Sequence, residues 1–171
     1  HYGRLEALLK QAKDAGRVLL GGESDPVRHR IAPTLIDVQN EQDPLMADEL
    51  FGPLLPVLEI ADLNDAIQRI QKQDKPLALY LFGGDQRDQD MVLRSTSSGG
   101  VCFNDVVMQA GVPDLPFGGV GASGMGAHHG EAGFKTFSHE RSVLKRPFWL
   151  DLPQRYPPYT LKPETFRRLL S

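Results

Sequence analysis

The sequence predicts an α/β fold in which helices flank a parallel sheet. Between residues 54 and 104, apolar strand-like runs alternate with helical patterns, and such alternation is typical of βαβ units. The run at residues 77–82 is almost continuously apolar, which indicates a strand buried on both faces. The chain has 171 residues, 40% of them hydrophobic, and this is enough for one domain with a sizeable core.

The N-terminal part of the chain predicts one helix and two strands. Apolar residues recur at helical spacing within residues 4–15, and Gly16 follows as a helix stop. Residues 17–20 predict a short strand. Residues 31–38 predict a longer one, in which Pro33 indicates an edge position or an irregular start.

The middle of the chain carries the alternation of strands and helices. Asp43, which precedes a proline, predicts the N-cap of a short helix within residues 43–50. A strand is predicted at residues 54–60, and Asp62 then predicts the cap of an amphipathic helix. The other predicted elements of this region are the strand at residues 77–82, a polar helix at 85–96 and a strand at 100–104.

The character of the sequence changes after residue 104. Residues 106–125 are rich in glycine and long for a connection, and long ordered loops in compact domains are often functional. Residues 138–146 predict a strand rich in charge. Residues 149–171 are rich in proline and predict an extended tail.

Composition excludes several classes of function. The net charge is −3 and no basic block is present, so nucleic acid is not an expected partner. No apolar run approaches the roughly 20 residues of a membrane helix, and the polar ending at residues 162–171 argues against a membrane anchor. A single cysteine allows no internal disulfide and fits the reducing cytoplasm. Because the first residue is His1 and a helical pattern starts almost at once, we expect the chain to be a fragment.

Three patterns resemble chemical motifs without their context. Residues 119–124 read G-x-G-x-x-G, but a dinucleotide fingerprint needs a preceding strand and a later acidic residue, so a tight loop is the better interpretation. His128 and His129 with Glu131 lack further ligands at metal spacing, and no metal site is predicted. Cys102 lies in a strand pattern, where a cysteine is more often a small buried hydrophobe than a nucleophile.

Five segments together resemble the aldehyde dehydrogenase superfamily. In chain order they are IAPTL at 31–35, DELFGP at 48–53, PLALY at 76–80, SGGVCFND at 98–105 and LPFGGVGASGMG at 115–126. The segments FSH at 137–139 and RYPPY at 155–159 are similar to the class 3 branch, which includes fatty, aromatic and coniferyl aldehyde dehydrogenases.

The resemblance implies a fold and an activity. Residues 1–137 correspond to the C-terminal half of the family's catalytic domain, residues 138–148 to an oligomerisation strand and residues 149–171 to the tail. In the family a cysteine thiolate attacks an aldehyde, a hydride passes to NAD or NADP, and water hydrolyses the thioester. The nucleophile, general base, oxyanion asparagine and phosphate-binding motif lie upstream of this region, so no catalytic residue is assigned to this chain.

The resemblance also implies binding residues. Glu49 matches the glutamate that holds the nicotinamide ribose, and Phe51 matches the aromatic beside the nicotinamide. Asn104 matches an asparagine that supports the active-site backbone. The matches on the aldehyde side are Phe117, Ala110, Gly111 and His129, where the small Ala110 and Gly111 leave room for a bulky aldehyde. Expected partners are an aldehyde substrate and a second copy of the chain in a homodimer or larger homo-oligomer. The alternative is a truncated paralogue that acts without chemistry, as an assembly module.

Overall fold

The computed structural model describes residues 1–149, 151, 153, 156–159 and 162–170. It contains short strands and helices that alternate along most of the chain. The strands are β1 (Val18–Leu20), β2 (Ser24–Asp25), β3 (Arg30–Ile31), β4 (Thr34–Val38), β5 (Leu54–Leu58), β6 (Ala78–Leu81) and β7 (Gly100–Phe103). The α-helices are α1 (Tyr2–Asp14), α2 (Leu63–Gln71), α3 (Gln86–Ser95), α4 (Met108–Gly111), α5 (Gly130–Thr136) and α6 (Pro163–Leu170), and the 3₁₀ turns are Pro44–Met46 and Gly121–Ser123.

Helix α1 and a three-stranded sheet form the first core. Strand β4 is central, antiparallel to β1 and parallel to β5. Leu5 and Leu9 of α1 pack in one buried cluster with Ile36 and Val38 of β4. The predicted helix at the N-terminus is confirmed. The β2–β3 hairpin ends at Ile31 and β4 begins at Thr34, directly after Pro33, in agreement with the predicted irregular start.

The second core joins helices α2 and α3 to the parallel pair β6–β7. Ile67, Leu79 and Val92, one from each of α2, β6 and α3, are buried together. The predicted cap at Asp62 is confirmed, because its side chain accepts a hydrogen bond from the backbone N–H of Asp65 at 2.9 Å. Helix α3 begins with a capping box formed by Asp85 and Asp88. Strands β6 and β7 pair in parallel, so the predicted parallel pairing is confirmed for these two strands.

Two predictions about the sheet are wrong. Strand β5 does not pair with β6, so the described parallel strands belong to two separate sheets. The strand at residues 77–82 was predicted to be buried on both faces, but only Leu79 of β6 is buried and Tyr80 is 38% exposed. The reason is that α2 and α3 pack on one side of β6, and no described segment buries its other side.

Two predictions near the C-terminus also differ from the structure. Residues 138–146, predicted as a strand, contain none; a strand needs a neighbouring edge with which to pair. Residues 163–170, predicted as part of an extended tail, form α6. Its proline at the start, Glu164 in the first turn and basic residues in the last turn favour a helix. Residues 150, 152, 154, 155, 160, 161 and 171 of the predicted tail lie outside the described residues. Within the described part of the chain, no helix has the length and apolar character to span a membrane.

Backbone segments pass very close to one another beside β6 and β7. A β-carbon built on Gly99 would lie 2.2 Å from the carbonyl oxygen of Gly118 and 2.6 Å from that of Leu77. We expect Gly99→Ala to destabilise the protein by about 3 kcal/mol, because backbone atoms cannot move aside as a flexible side chain does. The free energy of unfolding measures this. Gly3→Ala is the control, since a β-carbon there meets nothing within 4 Å; equal stability of the two variants would contradict the prediction.

Candidate functional site

The loop before β5 presents a carboxylate and an aromatic ring to solvent. The Glu49 side chain is exposed and the Phe51 ring is 78% exposed. Phe51 has a φ of +48°, which is uncommon for a residue with a β-carbon. The Arg4 guanidinium donates to the carbonyl oxygen of Leu50 at 2.7 Å, and His1 Nε2 lies 2.8 Å from that of Phe51. The first turn of α1 therefore holds this loop.

Asn104 joins the carboxyl ends of β6 and β7. Its side-chain Oδ1 accepts a hydrogen bond from the Gly83 N–H at 2.8 Å, and its own N–H donates to the Leu81 carbonyl at 2.8 Å. Asn104 has a φ of +57°, which asparagine tolerates better than most residues. It orders the backbone at the carboxyl ends of two parallel strands, which is where ligands commonly bind in such sheets.

Phe117 and His129 form an aromatic group in the loop after α4. Phe117 pairs with His128 through two backbone hydrogen bonds of 3.0 and 2.9 Å. The ring of Phe117 stacks on His129, with centroids 6.1 Å apart, and meets the edge of His128 at 5.3 Å. His129 Nδ1 also lies 3.3 Å from the Leu115 carbonyl oxygen. Both Phe117 and His129 are half-buried.

Helix α4 carries Ala110 and Gly111 and is held by Tyr80. The Tyr80 hydroxyl accepts from the Val107 N–H and from Gln109 Nε2, both at 3.2 Å. A β-carbon on Gly111 would meet nothing within 4 Å, so there is open space beside it. Neither Tyr80 nor Gln109 was predicted from the sequence as part of the site. The one signal in the sequence is the alternation of side chains along β6, which places Tyr80 on the opposite face of the strand from the buried Leu79.

Residues 119–124 form a tight loop, as predicted. The only regular structure within these six residues is the turn Gly121–Ser123. A β-carbon on Gly118 would lie 2.2 Å from the Gly126 carbonyl oxygen, and one on Gly119 would lie 2.0 Å from that of Ser123. These glycines allow backbone to pack on backbone. The described residues contain no group of three or more metal-ligating side chains, and Cys102 is half-buried within β7.

Arg69 links two carboxylates beside the carboxyl ends of β4 and β5. It contacts Glu41 at 2.7 Å and Asp65 at 3.0 Å. The hydrogen bond from Arg69 lowers the pKa of Glu41. The pKa of Asp65 is lowered first by the N–H of Ala61 and then by Arg69, against an opposing effect of burial. A groove of about 460 Å³ lies at this end of the sheet.

We expect Arg69→Met to lower the thermal unfolding midpoint at pH 7 and to have less effect in acid. Because both carboxyl pKa values are lowered on folding, their stabilisation is present above the ordinary values of about 4 and is lost as the pH falls through the lowered values. Lys10→Met, which breaks the exposed pair with Asp14, is the control and should change little. A deficit of Arg69→Met that stays constant down to acid pH would contradict this account.

Four of the predicted site residues fall into two groups. Glu49 and Phe51 share the loop held by α1, while Phe117 and His129 contact each other in the later loop. Among the described residues, no hydrogen bond or ring contact joins the two groups. Asn104, Ala110 and Gly111 follow β7, so three segments of the chain carry the candidate site.

Comparison with known proteins identifies the family. A sequence profile of the aldehyde dehydrogenase family matches residues 1–143. The chain belongs to this family. It is 48% identical over 173 residues to aldehyde dehydrogenase family 3 member B1 of Bos taurus, and the match covers 99% of this chain and 36% of that protein. The predicted class 3 resemblance is confirmed. The chain spans about a third of the length of the family 3 relatives it matches.

Solved aldehyde dehydrogenases share the fold. Staphylococcus aureus AldH, in a substrate-bound state, matches with a TM-score of 0.81 and 40% identity, over 100% of this chain and 37% of that one. Succinic semialdehyde dehydrogenase from Streptococcus pyogenes, solved with NADP⁺, matches with a TM-score of 0.72 and 26% identity, over 85% and 32%. An indole-3-acetaldehyde dehydrogenase solved with NAD⁺ matches in fold, at 23% identity and a TM-score of 0.72, over 83% and 29%.

Proposed function

We propose that this chain is the C-terminal part of an NAD(P)-dependent aldehyde dehydrogenase that oxidises an aldehyde to a carboxylic acid through a cysteine thioester. In this proposal, residues 1–137 complete the catalytic domain, residues 138–148 contact a partner subunit and residues 149–171 form the tail. The observation that carries the proposal is the Glu49–Phe51 loop, in a chain that belongs to the family.

The residues of this loop fit a nicotinamide nucleotide. An exposed carboxylate can accept hydrogen bonds from the two hydroxyls of a ribose, and an exposed ring two residues away can pack against a flat heterocycle. In the full-length protein, Glu49 would hold the ribose and Phe51 would limit the movement of the nicotinamide ring. The bound cofactor would supply the hydride acceptor. Relatives are solved with NAD⁺ or with NADP⁺.

On the aldehyde side, the residues of this chain would shape the binding site and take no part in the chemical step. Phe117 and His129 provide a stacked, half-buried wall, and Asn104 orders the backbone after β7. Ala110 and Gly111 bring little side-chain volume to α4, which favours a bulky aldehyde. Cys102 is the single cysteine of the sequence and lies within β7; in this proposal the thiolate belongs to the full-length protein and not to Cys102.

The test is an assay of the full-length protein that contains these residues. Aromatic and medium-chain aldehydes are supplied with NAD⁺ or NADP⁺, and both reduced cofactor and carboxylic acid are measured. We expect one acid for each reduced cofactor. Absence of both products with every aldehyde would favour the alternative of a non-catalytic assembly module.

We further propose that the protein is cytoplasmic and forms a homodimer or a larger homo-oligomer. Apolar side chains are exposed on strands, loops and the 138–148 segment of the single chain; examples are Leu19, Leu20, Leu55, Phe82, Leu144 and Phe148. Exposed apolar surface and unpaired strand edges mark contact sites. Identical chains can also form a dimer by exchanging a strand or helix with each other.

We therefore expect the purified 171-residue chain to self-associate at a concentration of about 10 µM or more. At this concentration, an apolar interface of ordinary size is expected to hold most chains in the associated form. Light scattering measures its mass. A dye that reports exposed apolar surface provides the second reading. A monodisperse monomer that binds no dye would show that these residues form a self-sufficient domain.

A further inference from the structure

The first turn of α1 contacts three consecutive residues of the loop that carries Glu49. Arg4 donates to the Leu50 carbonyl at 2.7 Å and lies 3.5 Å from that of Glu49, and His1 contacts the Phe51 carbonyl. A β-carbon on Gly52 would lie 2.3 Å from Leu5 Cδ1, so Gly52 packs directly against Leu5. The backbone on both sides of Phe51 is therefore fixed by one helical turn.

The hydrogen-bond roles in this contact are set by chemistry. A guanidinium can only donate and a carbonyl can only accept. Arg4 Nη2 lies 3.5 Å from His1 Nδ1, and His1 Nε2 lies 2.8 Å from the Phe51 carbonyl. With its proton on Nε2, His1 can donate to the Phe51 carbonyl and accept from Arg4 on Nδ1. Arg4 thus acts on the loop directly at Leu50 and indirectly through His1.

The backbone of Phe51 needs such a support. Its φ of +48° is a conformation that persists in a non-glycine residue only when the surroundings hold it. The helix that holds it is itself anchored, since Leu5 and Leu9 are buried against Ile36 and Val38. The Glu49 carboxylate has no hydrogen-bond partner among the described residues, so the contacts of α1 fix the backbone beside it and leave the carboxylate available.

We propose that Arg4, assisted by His1, is a positioning residue for hydride transfer. It holds the backbone of the Glu49–Phe51 loop, and so places the ribose-binding carboxylate and the ring relative to the aldehyde. This inference rests on the proposed function of that loop. It assigns to Arg4 no contact with the substrate or the cofactor.

The experiment compares variants of the full-length protein. We expect Arg4→Met to lower kcat about tenfold, with the KM for aldehyde and the cofactor Kd changed less than about twofold, because misplacement impairs the chemical step more than binding. Arg4→Lys should recover part of the loss, since an ammonium can still donate to the Leu50 carbonyl. Lys10→Met, on the same helix in an exposed pair with Asp14, should behave as wild type.

A double-mutant cycle with Glu49→Gln separates positioning from general destabilisation. If Arg4 acts through Glu49, adding Arg4→Met to Glu49→Gln should lower kcat little further. Independent, multiplying losses would overturn the inference, and so would wild-type kcat in Arg4→Met while Glu49→Gln is slow. Wild-type kcat in Glu49→Gln would instead remove the proposed function of the loop, and the inference with it.

Discussion

Replacing Glu49 with glutamine in the full-length protein is expected to lower kcat about 100-fold, while the Kd for the cofactor changes only a few-fold. Glutamine keeps the size of the side chain but loses the charge and one acceptor. The ribose would then still be contacted, but the nicotinamide would be held less firmly for hydride transfer. Misplacement by about 1 Å is enough for a loss of this size. Steady-state kinetics with a fluorescence titration of the cofactor measures both quantities.

Asp48→Asn is the matched control for this prediction. Asp48 is the neighbouring exposed carboxylate of the same loop, so its replacement makes the same change of charge one residue away. We expect kcat of this variant to remain near that of wild type. Equal losses in the two variants would point to the general charge of the loop, and wild-type kcat in Glu49→Gln would remove the role proposed for Glu49.

The 171-residue chain by itself is expected to reduce no cofactor above the blank rate. A thioester requires a positioned thiolate whose pKa is lowered by its surroundings, and Cys102 is half-buried inside β7. The purified chain is assayed with an aromatic or medium-chain aldehyde and either cofactor. Cys102→Ser serves as the control. Activity of the chain that this substitution abolishes would show that Cys102 is the nucleophile.

Local features of the sequence predicted the helices α1, α2 and α3 and the strands β1, β4, β5, β6 and β7. Asp62 and Asp85 cap α2 and α3 because a short acidic side chain can satisfy the free N–H groups of the first turn, which are only a few residues away. The apolar spacing of α1 likewise depends on residues within one helix. The division of the parallel strands between two sheets was not predictable in this way, because β5 pairs with β4 and not with its successor β6.

In the candidate site, too, some features could be predicted from the sequence and others could not. Glu49, Phe51, Asn104 and Phe117 were found through segments that resemble a family, and no periodicity in the chain singles them out. Arg4 was read only as part of an amphipathic helix, since nothing local shows that its side chain reaches residue 50. The left-handed backbone of Phe51 was equally hidden, because the surrounding structure holds such a conformation in a non-glycine residue, and here His1 and Arg4 are distant in sequence.

The rate of the first hydride transfer tests most directly whether the Glu49–Phe51 loop positions the nicotinamide. The full-length protein and its Glu49→Gln variant are mixed rapidly with cofactor and an aldehyde that carries hydrogen or deuterium on its carbonyl carbon. The formation of reduced cofactor is then followed in a single turnover. We expect a much slower transfer in the variant, with a clear deuterium isotope effect on that slow step. Transfer as fast as in wild type, with the same isotope effect, would contradict the account.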